Sequence, residues 1–441
     1  MSESKISPWF CVVPWTHTFI SPQSERRMCC ASREQASFQR QYIDQNSDAT
    51  NSEYSPVTLD EHWNSPHMQD VRRRMLAGEK LPECAVCNDN LLNLHTYRQY
   101  FNETLFPNKL DEILASTTDT GTTTMKPVSY DYRVSNLCNF KCRMCGEQLS
   151  SSWEAEKRST NTLNLKREIW MRVENKPRII EFQQNVVEAE LWAAARSGVL
   201  EEIYWVGGEP LMYQIHWDLM QYLVDTNQAK NVTVRYNTNL SKVSRGGVNL
   251  YDLLPKFKRV NLCASMDATG PIAEYIRTGL HWENWLSNFK DGMFLNSQFG
   301  KDAMVIDVTI TLPGLFDMKN LMQLASDLGV KSYVKICFDF ESSAIMSPMC
   351  LPRHLLNPIL DDLIAYEQSL NSGFTKVYSD TFRDMKTRAT FNDKYTDAGA
   401  GLRTGKQRYL ELEALRPNAA ITLRDILSNN QLVLDWYNEI N

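Results

Sequence analysis

The sequence lacks the segments that carry a chain into or across a membrane. A membrane-spanning helix needs about 20 consecutive apolar residues, and the 441 residues contain no such run of even about 18. The chain begins MSESKISPWFCVVPW, without the basic start and apolar stretch of a secretory signal. We therefore expect a cytoplasmic protein that does not bind a membrane.

A strongly basic segment is also absent. Lysine and arginine number 47 against 53 aspartate and glutamate residues, so the net charge is -6, and the basic residues are scattered along the chain. Proteins that bind nucleic acids gather positive charge on one face. We expect no nucleic-acid partner, and the acidic balance favours a substrate that is not a polyanion.

Glycine and proline are sparse, at 18 and 17 residues, and no internal repeat is present. A fibrous or disordered chain is therefore excluded. Hydrophobic residues make up 43% of the chain, as in an ordinary globular protein, and a chain of this length buries a large core. Its length predicts two or three domains.

Cysteine, by contrast, is plentiful. A reducing compartment keeps thiols reduced, so eleven cysteines indicate metal or redox chemistry rather than disulfides. Three of them stand alone, and we expect small buried side chains there: Cys263, Cys337 and Cys350. The other eight fall into two groups, Cys11, Cys29, Cys30, Cys84 and Cys87 in the first and Cys138, Cys142 and Cys145 in the second.

From residue 127 onward, apolar and β-branched runs alternate with segments of helical period. Six runs have the character of strands: SYDYRVS, EEIYWV, NVTVRYN, KRVNLCASM, AMVIDVTITL and VKSYVKICFDF. The alternation predicts the α/β class with a parallel sheet. Six strands are too few for an eight-stranded barrel, which favours a partial, six-stranded β/α barrel with its chemistry at the carboxyl ends of the strands.

Three domains follow from this pattern. Residues 1–114 are expected to form a small cysteine-rich α+β domain, with two short strands around SPQSE and a helix in HMQDVRRRMLAGEK. The run ASTTDTGTTTM, Ala115–Met125, predicts a linker or exposed loop. Residues 127–345 would form the partial barrel, and residues 346–441 a helical C-terminal extension.

Directly after the first strand of this series lies NLCNFKCRMCG, a C-x3-C-x2-C array of Cys138, Cys142 and Cys145. Three thiolates can hold three irons of a 4Fe-4S cluster and leave the fourth iron open for a reactant. A zinc ion completed by a distant residue is the competing interpretation. The position after a strand places the array at the end of the barrel where such folds carry out chemistry.

The order of a strand, CNFKCRMC and a later GGEP resembles the radical S-adenosylmethionine (SAM) superfamily over roughly residues 128–340. The resemblance implies that the three cysteines bind a 4Fe-4S cluster whose open iron binds SAM, and that Met144 borders the adenine. It also implies an external electron donor such as flavodoxin or ferredoxin. The amino group of SAM would bind at the second motif, Gly207, Gly208, Glu209 and Pro210.

Polar residues at later strand ends resemble family positions that contact the ribose or the carboxylate of SAM. Hydroxyl, amide and carboxylate groups can bind ribose hydroxyls, and an arginine can pair with a carboxylate. For each residue alone, a role in a cap or turn explains the residue equally well. The candidates are Asn237, Asn239, Ser265, Asp267 and Arg277.

The first cysteine group can supply a closed four-thiolate site from Cys11, one of Cys29 and Cys30, and the pair Cys84 and Cys87. Neighbouring residues of a strand point to opposite faces, so one of Cys29 and Cys30 is excluded. Four thiolates also suit structural zinc. The pattern resembles the auxiliary-cluster domain called twitch, a relative of SPASM, which implies Cys29 as the ligand and a second 4Fe-4S cluster. Here the domain precedes the barrel.

The resemblance as a whole implies a radical enzyme that cleaves SAM to a 5'-deoxyadenosyl radical and removes hydrogen from a substrate. SPASM and twitch relatives often modify peptides or proteins, so a peptide or protein substrate is expected, with a small metabolite as the second possibility. Two hypotheses from different functional classes are a non-catalytic iron–sulfur or zinc scaffold and an electron-relay protein. A scaffold needs neither GGEP nor an open three-thiolate site.

Overall fold

A computed structural model describes residues 7–36, 41–42, 54–89, 96–166, 168–337, 345–417 and 419–441. The chain divides into two compact units. The first unit comprises Met1–Leu137, Glu154–Arg235 and Lys256–Lys258, and the second comprises Cys138–Trp153, Tyr236–Pro255 and Arg259–Asn441. The three-domain division expected from the sequence stays a prediction.

The strands of the described chain are short. They are β1 (His17–Ile20), β2 (Arg26–Arg27), β3 (Ser129–Tyr132), β4 (Lys141–Cys142), β5 (Glu202–Trp205), β6 (Thr233–Thr238), β7 (Ser244–Arg245), β8 (Val248–Asn249), β9 (Arg259–Ser265), β10 (Arg277–Thr278), β11 (Met304–Ile310) and β12 (Ser332–Ile336).

The α-helices before β9 are mostly brief. They are α1 (Val13–Thr16), α2 (Leu59–Trp63), α3 (Pro66–Leu76), α4 (Ala85–Asn88), α5 (Tyr97–Gln99), α6 (Leu110–Ser116), α7 (Ser151–Ser159), α8 (Lys176–Phe182), α9 (Glu188–Ser197), α10 (Gln214–Asp225) and α11 (Leu250–Leu253).

Longer helices dominate the rest of the chain. They are α12 (Gly270–Ile276), α13 (Trp282–Gly292), α14 (Phe294–Phe299), α15 (Leu312–Leu315), α16 (Met318–Leu328), α17 (Arg353–Leu370), α18 (Lys376–Thr387), α19 (Phe391–Lys394), α20 (Ala398–Leu415), α21 (Leu423–Leu427) and α22 (Gln431–Glu439). None of the described helices is both long enough and apolar enough to span a membrane.

The main sheet has eight strands and is mostly parallel, which confirms the α/β class. In the first unit, β1 runs parallel to β3, β3 runs parallel to β5, and the short β2 pairs antiparallel with β1. In the second unit, β11 runs parallel to both β9 and β12. The apolar runs of β9 and β11 are largely buried, as strands covered on both faces require.

The eight strands of this sheet include two that the sequence analysis assigns to a separate N-terminal domain. The six expected segments contain β3, β5, β6, β9, β11 and β12, and the N-terminal hairpin adds β1 and β2. His17 lies opposite Ser129 in the parallel pair of β1 and β3, a long-range pairing that no local pattern encodes. The six-stranded barrel itself stays a prediction.

Two local expectations about the N-terminal region also need correction. Cys11 precedes α1 and Cys29 follows β2, so neither cysteine lies on a strand of the hairpin; Pro14 in the first turn of α1 favours a helical turn there. The Ala115–Met125 segment, expected to be a linker or an exposed loop, is exposed at residues 118–120 but buried at Gly121, Thr123 and Met125, so it is not a free linker. At its tip, Gly121 has φ of 88°, and a Cβ there would overlap the Gln69 carbonyl oxygen of α3.

The helices expected from their periodicity are present. Ser65 caps α3 by accepting a hydrogen bond from the Met68 amide, and α16 ends at Gly329, whose φ of 61° is left-handed. The segment RHLLNPILDDLIAYEQSL is α17 over its full length. The C-terminal extension is therefore helical in its described parts, as the sequence indicates.

Candidate functional site

The second unit holds the three clustered cysteines in a short loop. The backbone at the start of this loop is hydrogen-bonded by the first two serines of α7. The hydroxyl of Ser151 accepts a hydrogen bond from the Cys138 amide at 3.1 Å, and Ser152 donates its hydroxyl to the Cys138 carbonyl at 2.7 Å. Cys138 is buried, whereas Cys142 and Cys145 are half-buried. The hydroxyls of Ser151 and Ser152 thus hold the backbone at the start of the loop.

Cys142 lies on β4, which pairs antiparallel with β10 so that Cys142 faces Arg277. The Trp153 indole donates to the Cys142 carbonyl at 2.8 Å, and the Cys145 amide donates to the same carbonyl at 3.0 Å. Burial raises the pKa of the Cys142 thiol to about 12, and the nearby Arg277 charge acts against that rise. A metal ion that binds here would displace the proton.

Arg277 links this loop to the sheet. Its guanidinium forms a two-point ion pair with Asp267, with Nε–Oδ2 and Nη2–Oδ1 distances of 2.9 and 3.1 Å, and Nη1 lies 4.0 Å from the Cys142 sulfur. Asp267 also accepts a hydrogen bond from the Thr309 amide. Both residues are buried, and in this structure each is the other's partner; their contacts with SAM stay predictions.

The other candidate residues of the second unit are two asparagines that hydrogen-bond protein side chains, together with Ser265 and Met144. Asn239 donates its side-chain amide to the Asn139 side chain at 3.0 Å, so it supports the loop between the first two cysteines. Asn237 donates to Asp307 at 2.8 Å. Ser265, at the end of β9, and Met144 are half-buried.

The first unit holds the GGEP motif directly after β5. Gly207 has φ of 128°, and a Cβ there would lie 2.9 Å from the Tyr213 hydroxyl oxygen. A Cβ on Gly208 would overlap the carbonyl oxygen of Leu137, the residue before Cys138. The Glu209 amide donates to that same carbonyl at 2.7 Å. Gly208 thus lets the backbones of residues 136–137 and 207–209 meet, and Gly207 leaves room for Tyr213 and Arg133.

Glu209 itself is buried, with 1% of its surface exposed, and its carboxylate accepts a hydrogen bond from the Leu211 amide at 3.1 Å. Pro210 begins the short 3-10 turn that follows. The Tyr213 hydroxyl accepts from the Gly208 amide at 2.8 Å and donates to the Ser135 carbonyl at 2.6 Å. Tyr213 therefore fixes the motif, a role for which the sequence gives no signal.

The first unit also brings four cysteines from three chain segments to one small pocket. Cys11, Cys29, Cys84 and Cys87 line it together with Arg98. Burial raises the pKa of Cys11 to about 12 and that of Cys84 to about 11, and Arg98 acts against both rises.

The neighbouring Cys30 lies outside that pocket. Its thiol hydrogen-bonds the Tyr97 side chain and lies within electrostatic reach of Asp131, Arg133 and Arg235. Cys29, in contrast, interacts electrostatically with both Cys11 and Cys84. The pocket therefore includes Cys29 and not Cys30, although both lie beyond the end of β2, where the alternation of a strand does not apply.

The donor sets of both cysteine groups suit iron–sulfur clusters. Three thiols in the second unit match a cluster with one open iron, and four thiols in the first unit match a closed cluster. Among the residues that the structure describes, no group of three or more His, Cys, Asp or Glu side chains is arranged around a position for a single metal ion.

The structure adds two candidate residues that the sequence analysis does not name, although the sequence carries a signal for them. Asp307 is a carboxylate in the middle of the apolar run AMVIDVTITL, and its side chain is 8% exposed. Lys335 interrupts the last strand and places its ammonium 2.7 Å from both Asp307 oxygens. A charged residue inside a buried strand needs a partner, so the pair is a detectable candidate.

A comparison with protein families identifies part of the chain. Residues 132–325 match the family described as the Radical SAM superfamily, which spans the end of β3, the cysteine loop, GGEP and most of the later strands. No curated protein matches the chain. The protein thus contains a radical SAM domain over residues 132–325 and is an enzyme that uses S-adenosylmethionine and an iron–sulfur cluster.

Proposed function

We propose that this radical SAM enzyme removes a hydrogen atom from a peptide or protein. When bound, the 4Fe-4S cluster at Cys138, Cys142 and Cys145 supplies the reductive cleavage of SAM, with an electron from a donor such as flavodoxin or ferredoxin. The protein's own residues bind and orient the reactants and exclude water. The observation that carries the peptide proposal is that β12 is an end strand of the described sheet, with side chains that alternate between buried and exposed.

In the described chain, β12 pairs with β11 along one edge and with no strand along the other. The free edge of an end strand offers backbone donors and acceptors to an extended peptide. Two side chains of β12 also reach the surface: Tyr333 is 41% exposed, and the Lys335 side chain is 47% exposed. A peptide on this edge would meet both a hydrogen-bonding backbone and a cation.

Lys335 is held in place rather than free in solvent. Its ammonium contacts both oxygens of the buried Asp307, which also accepts a hydrogen bond from Asn237. Burial raises the pKa of Asp267, and the charges of Arg277 and Lys335 both act against this rise, so Lys335 lies within electrostatic reach of the Arg277–Asp267 pair. An anchored ammonium has one N–H left for a substrate oxygen.

The substrate class can be tested with two pools of N-acetylated random peptides. The acidic pool contains Asp and Glu, and the neutral pool contains Asn and Gln at the same positions. We expect the reduced enzyme with SAM to bind and modify the acidic pool preferentially, by about tenfold, because a hydrogen bond to a charged group contributes about 1.5–3 kcal/mol. Lys335→Met should remove the preference, and Lys335→Arg should retain it.

Each outcome of this experiment has a distinct meaning. An unchanged acidic preference in Lys335→Met would show that Lys335 does not bind the substrate. If neither pool is bound or modified, while the low-mass fraction of a cell extract raises 5'-deoxyadenosine formation, the substrate is a small metabolite and the peptide proposal is wrong. Uncoupled cleavage of SAM in both variants serves as the control for an intact cluster.

We further infer that Cys11, Cys29, Cys84 and Cys87 bind a second 4Fe-4S cluster. Four cysteines from distant segments line one pocket, and Cys30 lies outside it, which supports this assignment. A closed four-thiolate cluster leaves no iron open to a substrate, so its roles are electron transfer or structural support. The resemblance to twitch domains favours iron over zinc.

Adjacent cysteines provide a matched pair of variants for this site. We expect Cys29→Ala to lower the iron content of the anaerobically reconstituted protein by about four per chain, and Cys30→Ala to leave it unchanged. Iron, acid-labile sulfide and zinc are measured together. Loss of one zinc instead of four irons would assign a structural zinc site, and equal losses in both variants would refute the choice of Cys29.

A further inference from the structure

The C-terminal end of α20 contacts the cysteine loop within the second unit. Arg416, the residue after α20, donates from Nη1 to the Lys141 carbonyl at 3.1 Å and to the Thr278 hydroxyl at 3.2 Å. Lys141 and Thr278 are directly opposite each other in the β4–β10 pair. The buried Arg416 guanidinium thus bridges the two antiparallel strands β4 and β10, of which β4 carries Cys142.

The same guanidinium also contacts the next support of Cys142. It lies over the Trp153 ring, 4.6 Å from the centroid, and the Trp153 indole donates to the Cys142 carbonyl at 2.8 Å. Such a stacked cation and ring attract each other because the ring face is electron-rich. Arg416 therefore acts on Cys142 through two routes, the Lys141 carbonyl and the Trp153 side chain.

A second residue of α20 supports the end of α12, the helix directly before β10. Glu413 accepts a hydrogen bond from the Tyr275 hydroxyl at 2.6 Å. The Tyr275 carbonyl accepts from Arg143 Nε at 2.8 Å, and the Arg143 amide donates to the Ile276 carbonyl at 2.8 Å. Arg143 stands between Cys142 and Met144 in the motif, so Glu413 reaches the loop through Tyr275.

We propose that Arg416 and Glu413 are positioning residues that hold the cysteine loop in its ligand-ready shape before a cluster binds. Residues that support metal ligands without touching the metal commonly change metal affinity by 10- to 100-fold. The C-terminal extension would then serve the radical site directly, beyond its general contribution to folding. A purely structural role predicts instead that only the global stability of the protein depends on these residues.

The metal-free protein separates these two roles. Opening of the loop exposes its thiols, so we measure the iodoacetamide alkylation rates of Cys138, Cys142 and Cys145 by peptide mass spectrometry. We expect Arg416→Ala to raise these rates about tenfold and Glu413→Gln to raise them less, with Arg416→Lys in between. Arg403→Ala, an exposed substitution on the same helix, should leave them unchanged.

The reconstituted protein gives an independent readout. In Arg416→Ala we expect altered electron paramagnetic resonance of the reduced cluster and faster loss of about four irons to a chelator, because hydrogen bonds that support the cysteine ligands tune a cluster and its retention. Unchanged alkylation rates and an unchanged spectrum, with only a lower melting temperature, would overturn the proposal. Thermal unfolding of every variant is measured in parallel.

Discussion

Cys142→Ala is expected to reduce the formation of 5'-deoxyadenosine from SAM to below about one hundredth of the wild-type rate. Residues that only support metal ligands already change activity by 10- to 100-fold, and Cys142 is a proposed ligand itself. It lies at the centre of the loop, where β4, Arg277 and Trp153 converge on it. The product is quantified by chromatography after reduction with dithionite.

Cys350→Ala provides the matched control. Cys350 is fully buried in a 3-10 turn outside the cysteine loop, so its loss should lower stability modestly and leave SAM cleavage near the wild-type rate. Cleavage above about a tenth of the wild-type rate in Cys142→Ala would contradict the assignment of Cys142 as a cluster ligand.

Gly208→Ala is expected to reduce SAM cleavage by about 100-fold. The added Cβ would overlap the Leu137 carbonyl oxygen and lie 2.8 Å from the Asn136 carbonyl carbon, so the backbone on one side must move. Leu137 precedes Cys138, and a displacement of about 1 Å in a reacting geometry can cost about 100-fold in rate. The initial rate of 5'-deoxyadenosine formation at saturating SAM measures the effect.

The control for this substitution is Gly373→Ala, where the added Cβ has no atom within 4 Å. This variant should cleave SAM at the wild-type rate and unfold at a similar temperature. Wild-type cleavage in Gly208→Ala would show that the close approach of the two backbones does not serve the reaction. A lower melting temperature with normal cleavage would assign the glycine to folding alone.

Much of the fold follows from local pattern. The helical periods of α3, α16 and α17, their caps, and the six apolar runs of the sheet are all encoded within short windows of sequence. The pairing of β1 with β3 is not, because it joins His17 to Ser129 across more than a hundred residues. Local propensity carries no information about such a partner, so sequence patterns alone predict a separate domain for the N-terminal strands.

In the site, the sequence reveals the motifs but not the residues that hold them in place. The cysteine spacing and GGEP can be recognised from chemistry and resemblance, since each needs particular residue types at fixed positions. The supporting residues Trp153, Tyr213 and Arg416 each act through a hydrogen bond or a stacking contact. Many residue types can form such contacts, so no sequence pattern marks these three. Only the folded structure shows which side chains support the motifs.

Some of the polar residues at strand ends have protein partners in the structure. The family resemblance implies that Arg277 binds the carboxylate of SAM, and the structure pairs it with Asp267 beside the Cys142 sulfur. Asn239 supports Asn139 within the cysteine loop. A polar residue at a strand end can serve the ligand or its neighbours, and sequence alone does not distinguish these roles.

The most direct test of a two-cluster radical enzyme is the content of iron, acid-labile sulfide and zinc in anaerobically reconstituted protein. The wild type is compared with a variant in which Cys138, Cys142 and Cys145 are all alanine. We expect about eight irons per chain in the wild type and about four in the variant. About four irons falling to none, with one zinc retained, would contradict the second cluster, and zinc alone in both proteins would contradict the cluster at the radical site.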